Sequence, residues 1–101
     1  MAGTNKVFTL TSGNSGNLTL SAASATVSIA SLMTKSEDTI RLTSDVVCYV
    51  RLTNGAGTAV TTDVKLEATS AEAFTIPPDT THLSAIAGGA GTLNYSVSKG
   101  P

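Results

Sequence analysis

Between Thr39 and Leu52 polar and apolar side chains alternate almost without a break. Ile40 and Leu42 alternate with Arg41 and Thr43; Val46, Cys48, Val50 and Leu52 alternate with Val47, Tyr49 and Arg51. A period of two belongs to a β-strand, whose successive side chains point to opposite faces, whereas a helix needs apolar residues at every third or fourth position. Ser44-Asp45 interrupts the stretch with a turn signal. The pattern predicts a hairpin with its even-numbered side chains on the core and Arg41, Val47, Tyr49 and Arg51 sharing the outer face. The fragments Ile40-Arg41-Leu42-Thr43 and Val50-Arg51-Leu52-Thr53 nearly repeat. They read as two strands with similar duties, not as a solenoid, because the similarity occurs only once.

Strand signals continue on both sides. Lys6–Leu10 reads as a first strand and Thr11–Asn17 as a turn-forming cluster of small polar residues. Leu18–Ala22 and Thr26–Ala30 alternate, with a change of parity across Ala23-Ser24-Ala25. That change fits a bulge or short turn between two strands, or one long bent strand. Ser31–Asp38 reads as a loop or a single helical turn. Asn54-Gly55-Ala56-Gly57 is a turn, since Asn and Gly accept positive φ. Thr58–Thr61 reads as a short strand, followed by one with Val64, Leu66 and Ala68 inward and Asp63, Lys65 and Glu67 outward; Thr69–Ala73 reads as a connection. Ala73–Ser98 reads as a closing three-strand edge: Phe74–Ile76, His82–Ala87 and Thr92–Ser98, joined by sharp turns at Pro77-Pro78-Asp79-Thr80 and Gly88-Gly89-Ala90-Gly91. No proline precedes Pro77, as antiparallel ladders prefer. Eight or nine short strands spaced about ten residues apart predict an all-β fold, a small antiparallel β-sandwich that is jelly-roll-like.

A chain of 101 residues is expected to form one domain, residues 6–101, behind a short flexible arm at residues 1–5. Its only aromatics are Phe8, Tyr49, Phe74 and Tyr95, so the core must be built from Val, Leu, Ile and Ala. A net charge of -1 argues against nucleic acid as a partner, which requires clustered Lys and Arg. Weak charge also gives little self-repulsion, so the surface tolerates assembly. Met1-Ala2-Gly3-Thr4 lacks the basic and apolar regions of a signal peptide, and the apolar runs are too short to cross a bilayer. Synthesis and folding in the cytoplasm, without a membrane partner, are expected. The single cysteine, Cys48, excludes an internal disulfide framework and reads as a buried thiol.

No combination of residues points to catalysis. Asp79, His82 and Ser84 assemble a Ser–His–Asp set on paper only. Ser84 lies on the same strand as its supposed base, and nothing marks an oxyanion hole. A histidine bonded to a loop carbonyl is the simpler reading of His82. Zinc requires several converging His and Cys ligands, of which there is one each. Asp63, Glu67, Glu72 and Asp79 are too dispersed for a calcium loop. Gly88-Gly89-Ala90-Gly91 is followed by no lysine and no helix, so it is a turn and not a phosphate loop. The expectation is therefore no catalytic, cofactor or metal residue. The best surface candidate is Tyr49 with Arg41, Val47 and Arg51, because Tyr and Arg are enriched at interface hot spots.

Three fragments carry a family resemblance: Ile40–Arg51 (IRLTSDVVCYVR), Phe74–Ala87 (FTIPPDTTHLSAIA) and Gly91–Val97 (GTLNYSV). In this order, over residues 39–98, the chain resembles small structural proteins of tailed bacteriophages. The resemblance implies a jelly-roll-like virion component, not an enzyme, that acts as a cement or decoration protein on the capsid exterior. It also implies the major capsid protein as partner and a homo-oligomer, dimer or trimer. A tail, neck or fibre component, including a receptor-binding or glycan-binding sandwich module, is the alternative. Glycan platforms usually expose several aromatics, and this chain has few.

Overall fold

The computed structural model describes residues 13–33 and 38–98. They form a two-layer antiparallel β-sandwich of eight strands: β1 (Ser15–Leu20), β2 (Ala25–Ser28), β3 (Thr39–Ser44), β4 (Cys48–Thr53), β5 (Val64–Leu66), β6 (Ala71–Thr75), β7 (His82–Ala87) and β8 (Gly91–Ser98). One 3-10 turn, Ala30–Leu32, follows β2. One sheet has the order β1-β8-β3-β6 and the other β2-β7-β4-β5. The expected arm at residues 1–5 and the strand at Lys6–Leu10 lie outside the described residues, as does most of the loop before β3.

Among these strands, only β4 and β5 are both consecutive and hydrogen-bonded to each other. The other connections carry the chain from one sheet to the facing one. The expected hairpin at Thr39–Leu52 is therefore an arch: β3 is central in one sheet and β4 in the other. Alternation cannot separate the two cases, because facing sheets both direct every second residue into one shared core. Local hydrogen bonds show how the arch is held. Ser44 Oγ donates to the Val46 carbonyl (2.6 Å), and Thr92 N donates to Asp45 Oδ1 (2.8 Å). Thr69 N donates to the Ser44 carbonyl (2.8 Å). The near-repeat does mark two strands with similar duties, one at the centre of each sheet.

The closing three-strand edge also divides. β6 and β8 flank β3 in one sheet, while β7 lies in the other. Its turn chemistry is as expected: Asp79 adopts a positive φ of 66° after the two prolines. Ser15–Asn17 belongs to β1, not to a turn, because the ladder with β8 overrides the local preference. Its polar side chains bond across the strands, Ser15 Oγ to Ser96 Oγ at 2.7 Å and Asn94 Nδ2 to Asn17 Oδ1 at 3.0 Å. The parity change after Leu20 is a turn between β1 and β2, which lie in different sheets.

The core is aliphatic. Leu20, Ile29, Ile40, Leu42, Cys48, Leu66, Leu83, Leu93 and Val97 are fully buried, with Tyr95 beside them. Thr58–Thr61 is not a strand. It belongs to a strap, residues 54–63, laid over the outer face of the β2-β7-β4-β5 sheet. Gly55 N donates to Thr81 Oγ1 (2.7 Å), Ser84 Oγ to the Gly57 carbonyl (3.0 Å) and Ala59 N to Ser24 Oγ (2.8 Å). The strap buries Ala59, and it buries Ser84 on what would otherwise be a solvent face.

Candidate interaction surface

The four residues expected to form one surface do not come together. Tyr49 and Arg51 point outward from β4, beside Ile86 and Ser84 of β7. Arg41 points outward from β3, beside Ala73 and Ser96, on the opposite side of the sandwich. Val47 is exposed in the arch between the two sheets. The arch is what separates them, since a hairpin would have kept all four on one face.

Arg51 is occupied by an internal partner. Its Nε and Nη2 donate to the Asp63 carboxylate at 3.0–3.1 Å in a forked contact. Asp63 Oδ2 also accepts from Val60 N at 2.9 Å, and Asp63 N donates to the Val60 carbonyl at 3.0 Å. The Arg51 guanidinium, followed by the Val60 amide, holds the Asp63 carboxyl below its ordinary value. This pair ties the end of the strap to β4. A carboxylate with a depressed folded-state pKa contributes stability above its unfolded pKa and loses it as pH falls through the folded value. Amide exchange at Val60 is thus expected to stay slow at neutral pH and to accelerate below the usual carboxylate range. Asp63→Asn should reproduce the fast exchange at pH 7. Exchange at Val60 independent of pH in the wild type, after correction for intrinsic rates, would remove this role.

Ser84 and His82 have structural partners. Ser84 Oγ is buried and bonded to Thr26 Oγ1 and to the Gly57 carbonyl. His82 Nδ1 lies 2.8 Å from the Thr81 hydroxyl, which replaces the expected loop carbonyl. Cys48 is in the core, where burial pushes its thiol pKa up against a smaller lowering by Ser44. Among the described residues no three His, Cys, Asp or Glu side chains cluster as metal ligands.

A concave feature lies elsewhere, at the side of the sandwich bounded by β5 and β6. A cavity of about 430 Å3 opens there, lined by Leu42, Val50, Leu52, Val64, Phe74 and Pro77, with Arg51, Thr62, Asp63 and Thr75 completing the wall. β5 pairs only with β4, and β6 only with β3, among the described strands. Each therefore leaves one backbone edge without a described partner. Val64 is the register partner of Val50 and so faces inward as expected, yet it is 55% exposed because it stands at the open mouth. Glu72 is the register partner of Leu42, which places it on the cleft side of β6, exposed. Sequence periodicity marks these residues as core and does not signal the opening. The available hint is the brevity of β5, three residues, too short to cover the opposing sheet. Comparison with known proteins adds no relative: no family model, no curated protein and no solved structure matches this chain.

Proposed function

We propose that this chain is a non-enzymatic structural protein of a tailed-bacteriophage virion, which binds the outside of the capsid and cements or decorates it by bridging capsid subunits. The observation that carries this reading is the side bounded by β5 and β6, where two strand edges without a described partner flank an apolar cavity. An unpaired edge is a template for another chain, and an apolar pocket beside it supplies affinity and register.

One further observation supports it. The strands pair as β1 with β8, β2 with β7, β3 with β6 and β4 with β5. We read this nesting as the winding of a double-sheet jelly roll, an architecture found in capsid domains. The resemblance to small phage structural proteins, read from the sequence over residues 39–98, is the expectation this proposal extends. The mechanism is then burial and strand pairing on a rigid plate. At about 25 cal/mol per Å2, a contact that buries about 200 Å2 of apolar surface contributes about 5 kcal/mol before association costs. Symmetric repetition over a shell multiplies that gain.

Quantitative gel analysis of purified particles tests the reading. Hundreds of copies per particle, released without opening the head, are the expected result. A handful of copies would move the protein to the tail or neck. Its absence from particles would end the virion reading.

A further inference from the structure

We infer that the cleft between β5 and β6 receives an extended peptide arm, which adds as a strand beside β6 and carries a bulky apolar side chain two residues before a lysine or arginine. For the arm's source, a shell subunit, the inference rests on the reading above.

β6 is the better of the two edges. It pairs with β3 over five consecutive residues with no bulge, from Thr39↔Thr75 to Thr43↔Ala71. Its sequence, Ala71-Glu72-Ala73-Phe74-Thr75, holds no proline and no lysine; its one charge, the inward-facing Glu72, guards the edge against strands that bring no cation to meet it. β5 is shorter and carries Lys65. In an antiparallel pair the residues turn their N–H and C=O alternately toward and away from the partner. Among the described residues, β6 thus has outward-directed backbone groups open to an incoming strand.

The cavity sets the side chain. Its 430 Å3 falls within the roughly 300–1,000 Å3 typical of ligand pockets. Leu42, Val50, Leu52, Val64, Phe74 and Pro77 make its lining mostly apolar. The charged pair in the wall, Arg51 and Asp63, is satisfied internally. A large aliphatic or aromatic side chain fits this chemistry, whereas a polar ligand would find few groups left to bond.

Glu72 sets the charge and its position. It stands on the cleft side of β6 and has no ion pair among the described residues. A strand laid beside β6 directs every second side chain over the cleft, so the residues opposite Phe74 and Glu72 are two apart. In antiparallel addition the residue opposite Phe74 comes first. The recognised pattern is therefore apolar-x-basic, read from the N-terminus of the arm. A second copy of this chain fits poorly. Two β6 strands paired about Ala73 would set each Glu72 opposite the partner's Phe74, placing a carboxylate against an apolar wall without a cation.

The probe is the capped peptide acetyl-Thr-Val-Thr-Phe-Thr-Lys-Thr-amide, titrated into 15N-labelled full-length protein. Shifts confined to residues 62–66 and 71–77 and to the cavity-lining Leu42, Val50, Arg51 and Leu52 are expected. Glu in place of the peptide Lys, or Val64→Lys in the protein, should weaken binding about tenfold or more, through like-charge or desolvation cost at the mouth. Val64 is exposed, so Val64→Lys should melt like wild type. Glu72→Lys should reverse the preference and favour the Glu-containing peptide, an exchange that loss of folding cannot imitate. Absence of shifts at millimolar peptide, shifts elsewhere, or an unchanged preference in Glu72→Lys would overturn the inference. Dilution-dependent shifts at residues 71–75 of the free protein would assign the edge to a second copy and overturn it too. Peptide binding as described without binding to capsid shells would retain the cleft's role and remove the phage reading. Shell binding unaffected by Val64→Lys and Glu72→Lys, with no peptide binding, would do the reverse.

Discussion

Leu83→Ala is expected to destabilise the domain by about 2–5 kcal/mol, the range for deleting a fully buried leucine. Leu83 is completely inaccessible and sits on β7, paired with Val27 of β2 and Leu52 of β4. Its neighbours are held by two ladders, so the layer cannot collapse readily into the space the side chain leaves. Urea denaturation should show a lower midpoint with an unchanged slope, and the melting temperature should fall by about 10 °C or more for a domain of this size. Val64→Ala is the matched control. It also removes an inward-facing aliphatic side chain, but from the open mouth, and should cost no more than about 0.5 kcal/mol. Equal losses for the two variants would mean that the cleft is closed in solution.

Gly16→Val is expected to cost about 1–3 kcal/mol through overpacking. Gly16 is the register partner of Tyr95, whose ring lies back across it. A Cβ at Gly16 would stand 2.5 Å from Tyr95 Oη and 2.6 Å from Cζ, so the ring would have to swing away. Tyr95 is 8% exposed, and moving it opens the core beside Leu93 and Val97. An aromatic ring covering a cross-strand glycine is a recognised way to pin register. Gly16→Val combined with Tyr95→Leu should cost less than the sum of the single changes, since the second removes the obstacle to the first. Strict additivity would show that the ring does not depend on the glycine.

The sequence announces faces far better than neighbours. Ile40, Leu42, Cys48, Val50, Leu93, Tyr95 and Val97 are on the core because period two dictates it, whichever sheet each strand joins. Strand pairing is a different matter. β8 lies between β1 and β3, far from both in the chain, and no local pattern encodes that choice. This is why alternation alone puts Arg41 beside Tyr49, whereas it stands on the other side of the sandwich. Turn chemistry was legible where the backbone itself demanded it, at Gly55 with φ 87° and at Asp79. It misled at Ser15–Asn17, where cross-strand bonds outweigh local preference. The strap and the cleft were illegible for one shared reason: both depend on which strands stand opposite each other, and that is decided between residues distant in the chain.

The nested pairing of β1 with β8 has a consequence for how the molecule comes into being. Nearly every ladder joins segments remote in sequence, and such topologies fold slowly, in milliseconds to seconds. β8 is interior to its sheet, hydrogen-bonded on both sides. Until residues 91–98 have been synthesised, β1 and β3 have no common neighbour and that sheet cannot form. A ribosome-tethered chain stopped short of Gly91 should therefore remain protease-sensitive throughout, becoming resistant in one step once β8 emerges.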